Sequence, residues 1–138
     1  MAIAMLFTAN ANAADVERYG KQKVVYHINY DDPKAQAGAL RNIQNHINAV
    51  GKENLDIKVV IHSKGLLMLK EAKQAGPIQT AVANLKSQNI SFSVCANTLK
   101  SLKVSQDQLF EVFDEDIVPS GVAELAHLQQ QGYTYIKP

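Results

Sequence analysis

Lys23-Val24-Val25-Tyr26-His27-Ile28-Asn29-Tyr30 is rich in β-branched and aromatic residues and reads as a first strand, ended by Asp31-Asp32-Pro33. Asp32 suits the N-cap of a helix and Pro33 its first turn, because proline has no N–H to leave unpaired there. Ala37, Leu40, Ile43, Ile47 and Val50 follow at helical spacing, and Gly51 supplies the stop. A strand that passes directly into an amphipathic helix is the first half of a βαβ unit.

The pattern repeats outward from there. Leu55 to His62 reads as a second strand ending in Ser63-Lys64-Gly65. A helix is predicted over Leu66–Ala75, broken by Gly76-Pro77, and Ile78, Val82 and Leu85 mark another. Ile90-Ser91-Phe92-Ser93-Val94-Cys95 alternates as a strand and runs into Ala96-Asn97-Thr98-Leu99-Lys100, which opens a helix. Ser105-Gln106-Asp107-Gln108 has capping-box spacing. A brief strand is predicted around Ile117 and Val118, then a helix capped by Ser120 that displays Val122, Leu125 and Leu128 and ends at Gly132. Tyr133-Thr134-Tyr135-Ile136 is the last short strand. Strands alternating with helices predict an α/β fold with a mostly parallel sheet and right-handed crossovers that place helices on both faces.

At 138 residues, 46% hydrophobic and 20% charged, the chain has the composition of one globular domain. A net charge of +1 with no densely basic stretch argues against nucleic acid as a partner. No apolar run approaches the ~20 residues that cross a bilayer. The single cysteine excludes a disulfide framework and a zinc site built on several thiolates. Residues 1–14 are set apart from the domain predicted over 15–138. Met1 to Phe7 is apolar, and Ala11-Asn12-Ala13 matches the small-x-small rule for signal peptidase. Export to the periplasm is therefore expected; an uncleaved segment would instead leave the protein in the cytoplasm.

In parallel α/β sheets ligands bind beyond the carboxyl ends of the strands. Asn29, Asp31, His62, Cys95 and Ser120 are expected to gather at that edge, with Asn97 in the helix after Cys95. Cys95 is the candidate nucleophile, because a helix N-terminus stabilises a thiolate; the other reading is a small buried hydrophobe. His62 is expected either to lower the thiol pKa as an imidazolium or to cap the strand through a backbone bond. Asn29, Asp31, Asn97 and Ser120 are candidate substrate contacts. His27, inside the first strand, is expected to be packed and hydrogen-bonded. His46 and His127 lie on separate helices at no ligand spacing, so no metal site is expected.

Other chemistries fit less well. No glycine follows the first strand to admit a pyrophosphate, and Ser63-Lys64-Gly65 is too short to cradle phosphates. A phosphoacceptor module would want aspartate where Cys95 stands. A thiol protease would need a base and an orienting group from His62 and Asn29 or Asp31, and the sequence offers no oxyanion loop.

Val59-Val60-Ile61-His62-Ser63-Lys64-Gly65-Leu66, Val94-Cys95-Ala96-Asn97-Thr98-Leu99 and Val118-Pro119-Ser120-Gly121-Val122-Ala123-Glu124-Leu125, with the ending Leu128 to Pro138, together resemble the DsrE/DsrF-like family. The resemblance implies a three-layer α/β/α sandwich with about five parallel strands, assembled as homotrimers or hexamers. It also implies a sulfur-relay role without a cofactor, in which Cys95 holds sulfur as a persulfide between donor and acceptor proteins. His62 matches a histidine that many members carry after the second strand. The alternative is a non-catalytic oligomeric module that binds a small ligand, with Cys95 merely packed.

Overall fold

The computed structural model describes residues 18–138, and the signal-peptide-like reading of residues 1–14 lies outside the described residues. In chain order the elements are β1 (Gln22–Ile28), α1 (Pro33–Val50), β2 (Leu55–Ile61), α2 (Leu67–Glu71), α3 (Pro77–Ser87), β3 (Ser91–Cys95), α4 (Ala96–Leu102), β4 (Ile117–Val118), α5 (Gly121–Gln130) and β5 (Thr134–Ile136). The Asp32 carboxylate accepts the Lys34 and Ala35 N–H groups at 3.0 and 3.1 Å, and Pro33 opens α1 as its residue type demands. Gly51 closes that helix at φ 91°, a conformation that side chains with a Cβ rarely adopt.

All strand pairs are parallel and the sheet order is β4-β3-β2-β1-β5. Moving from β1 to β2 to β3 steps in one direction, so right-handed crossovers put the intervening helices on one face. The chain must then travel back from β4 to β5 at the opposite edge, and the same handedness forces α5 onto the other face. The two faces are accordingly unequal. Val24, Tyr26, Ile28, Ile57, Val59, Ile61, Phe92 and Val94 meet the inner faces of α1, α2 and α3 in the main core. On the far side, among the described residues, the buried apolar cluster is the smaller set Val25, Val60, Leu125, Leu128 and Tyr133.

The helix expected over Leu66–Ala75 is much shorter. A 3₁₀ turn covers Ser63–Leu66, and α2 is five residues long. The Leu69 carbonyl accepts the Phe110 N–H at 3.0 Å, and the Lys73 N–H turns back to Lys70. Burial of Leu66, Met68, Leu69 and Ala72 pulls this segment into the core, and a distant loop takes the hydrogen bond that would have extended the helix.

Candidate active site

Cys95 is at once the last residue of β3 and the N-cap of α4, with extended backbone at φ −74° and ψ 120°. Its sulfur therefore meets the first free N–H groups of the helix. Burial pushes the thiol pKa up. Four hydrogen bonds to the sulfur pull it down and prevail: the Gly121 N–H, the Thr98 hydroxyl, and the Thr98 and Asn97 N–H groups. The net result is a thiol held below its ordinary range.

Thr98 is placed for this task by a second contact. Its Oγ1 accepts the Ser63 N–H at 2.8 Å, which leaves its own proton to donate to Cys95. Ser63 holds φ 53° to present that N–H. Gly121 contributes from the opposite side, at the start of α5. Its N–H bonds the sulfur, and a Cβ there would stand 2.9 Å from His62 Cβ and 3.2 Å from the imidazole ring. Glycine is thus what lets His62 and Cys95 flank the same backbone.

These groups surround a pocket of about 310 Å³ lined by His62, Ser63, Cys95, Asn97, Thr98, Ser101, Ser120, Gly121 and Val122. A groove of similar size, about 340 Å³, lies between α1 and α3, but among its lining residues none is a nucleophile. Chemistry selects the Cys95 pocket.

His62 Nε2 lies 2.6 Å from His27 Nε2, and the two rings stack with centroids 4.7 Å apart. His27 Nδ1 lies 2.6 Å from the Tyr135 hydroxyl. Desolvation, the neighbouring His62 and the Lys137 ammonium push the His27 pKa down to about 4. Desolvation and Lys137 lower the His62 pKa as well, which favours its uncharged ring. Burial and Lys137 thus work against the expected imidazolium beside the thiol, and hydrogen bonds are what lower the thiol pKa. The expected backbone cap is absent, since the ring bonds to His27 and makes no side-chain cap.

Four of the six residues read from the sequence, Cys95, His62, Asn97 and Ser120, line this pocket; Asn29 and Asp31 do not. The turn after β2 lies over the end of β1, with Gly65 packed on the Ile28 carbonyl and Asn29 Cα, and Asp31 is exposed beyond it. Asn97 serves Cys95 through its main chain. The Ser120 hydroxyl accepts the Ala123 N–H at 3.2 Å and caps α5. Sequence reasoning passed over Gly121 and Tyr135 as site residues. For Gly121 the only local sign is a glycine directly after a helix cap. Among the described residues no group of three or more His, Cys, Asp or Glu is arranged to hold a metal ion, and no helix is long and apolar enough to cross a membrane.

Comparison with known proteins places this geometry in a family. No curated protein matches the sequence significantly. Among solved structures, a protein of unknown function from Methanobacterium thermoautotrophicum, MTH1491, is 30% identical with a TM-score of 0.75, over 86% of this chain and 100% of that one. The ychN protein from E. coli shares the fold at 18% identity and a TM-score of 0.67, over 85% of this chain and 99% of its own. The family model matches residues 22–138, from the first strand to the last residue, and the chain belongs to the DsrE/DsrF-like family.

Proposed function

We propose that this protein is a sulfur carrier that holds sulfane sulfur as a persulfide on Cys95. Family membership supplies the sulfur-relay class. The observation that carries the finer reading is the convergence of four hydrogen-bond donors on one sulfur at the floor of a pocket. Such an arrangement stabilises negative charge on sulfur, and the thiolate is the nucleophilic form. The step is an exchange without net oxidation: Cys95–SH and R–S–SH give Cys95–S–SH and R–SH. The Cys95 thiolate forms a bond to the outer sulfur, the S–S bond joining that sulfur to R–S breaks, and the Cys95 proton ends on the departing R–S sulfur. Asn97 and Ser120 are the lining positions assigned to the incoming donor.

The second reading, a small-ligand module with a packed cysteine, draws on the 5% exposure of Cys95. Intact mass after treatment with polysulfide or thiosulfate separates the two. A gain of one sulfur atom, reversed by reductant and absent in Cys95→Ser, is expected. A thiol that stays inert in the folded protein selects the packed cysteine.

A homo-oligomer, trimeric or hexameric, belongs to the same proposal. Among the described residues one ten-residue helix covers the far face of a five-stranded sheet, and at the pocket rim Val122 is 65% exposed. Native mass measurement on the same samples is expected to report an assembly, and a monomer at micromolar concentration removes this part.

A further inference from the structure

His27 is buried inside β1, a place where an imidazole has little reason to be unless its nitrogens are used. Both are. Register pairs His27 with Val60 on β2, so its ring stands on the far face of the sheet, the face crossed by α5. There it bridges Tyr135, from the edge strand β5, to His62, from the end of β2, at 2.6 Å on each side. Tyr135 is 40% exposed, and His62 lines the Cys95 pocket. His62 Nδ1 has no hydrogen-bond partner among the described residues and is not a buried unpaired atom.

We propose that Tyr135, His27 and His62 form a proton wire between the outer edge of the sheet and the Cys95 pocket, used when sulfur is transferred. The inference rests on the persulfide reading above and names the route its proton takes. In one state His62 donates Nε2–H to His27 Nε2, and His27 donates Nδ1–H to the Tyr135 oxygen. The Cys95 proton crosses the pocket that both residues line and enters at His62 Nδ1, the shared protons each move one position along, and the Tyr135 oxygen releases one proton to solvent. In the resulting state the Tyr135 hydroxyl donates to His27 Nδ1 and His27 Nε2–H donates to His62 Nε2. Reversal delivers a proton from His62 Nδ1 to the departing thiolate, so protons balance over the exchange. Each ring is neutral in both states, and the 2.6 Å separations suit either direction of donation.

The surroundings support uncharged conduction. The groups in contact with the pair include Tyr135 on β5, and the Lys137 ammonium beyond β5 opposes a charge on either ring. A wire that passes protons by switching tautomers needs no imidazolium, whereas a base that stored the proton would be hindered here.

Tyr135→Phe tests the wire, since it removes the outermost oxygen from a partly exposed ring and leaves His62 and Cys95 in place. Sulfur uptake from a low-molecular-weight persulfide, followed by intact mass, is expected to fall about tenfold in dilute non-imidazole buffer. Added imidazole is expected to restore it, and to leave the wild type unchanged. A Tyr135→Phe protein that takes up sulfur at the wild-type rate in dilute buffer overturns the wire and spares the persulfide reading. A wild type that takes up no sulfur overturns the persulfide reading and the wire's part in it. As a second readout, ¹⁵N spectra of the histidine rings are expected to show neutral His27 and His62 at pH ~7 whose tautomers respond together to Tyr135→Phe. An imidazolium at His27, or a His62 ring indifferent to Tyr135, also overturns the wire.

Discussion

Gly65→Ala is expected to lower stability by about 3 kcal/mol and the melting temperature by roughly 10 °C. Gly65 is buried in the turn after β2, and a Cβ there would run into the Ile28 carbonyl and stand 2.8 Å from the Ile28 carbonyl carbon and 3.1 Å from Asn29 Cα. Every one of these atoms is backbone. A side chain would rotate aside, but the end of β1 is held by pairing with β2, and its Ile28 carbonyl already accepts the His62 N–H at 3.3 Å. Something must shift, and the nearest thing free to shift is the turn carrying Ser63 and His62, both of which line the pocket. Denaturant unfolding measures the loss. Gly38→Ala serves as the contrast: in α1 its nearest new neighbour is the Arg41 guanidinium at 3.6 Å, so the helix gains the ~1 kcal/mol by which alanine exceeds glycine. A Gly65→Ala protein as stable as the wild type would show that the turn yields at no cost.

Thr98→Val should raise the Cys95 alkylation midpoint by about one pH unit, equivalent to ~1.4 kcal/mol. The substitution keeps shape, removes a hydroxyl donor from the sulfur, and leaves the Ser63 N–H without its acceptor. In the wild type the midpoint is expected below that of free cysteine, because the hydrogen bonds outweigh burial. The sign carries over to folding. A thiol whose folded pKa is depressed stabilises the native state above the unfolded pKa, and that contribution is lost as pH falls through the folded value. Thr98→Val is therefore expected to cost more stability in alkaline than in acidic solution. Rates of iodoacetamide alkylation against pH, paired with denaturant melts at the two extremes, check both statements. A midpoint equal to that of the wild type would mean that the backbone N–H groups alone set the acidity.

What the residues settle by themselves here is local. Alternation in Lys23–Tyr30 and Ile90–Cys95, helical spacing from Ala37 to Val50, and the Asp32-Pro33 start each concern neighbours along the chain, and each element formed where they point. The location of Cys95 at a strand end and helix start is local in the same sense, since it needs only the junction of two periodicities. The length of α2 was not legible, because Phe110 takes the Leu69 carbonyl from a distant loop. Nor was the state of His62. Its partner is chosen by the register of β1 against β2 and β5, and its lowered pKa by the burial and the Lys137 field that this register creates. Gly121 reaches Cys95 because the return from β4 to β5 must cross the far face. Periodicity of two or 3.6 residues reports which side of an element is apolar. Which polar side chains meet across elements depends on strand register and crossover hand, and only the folded chain sets those.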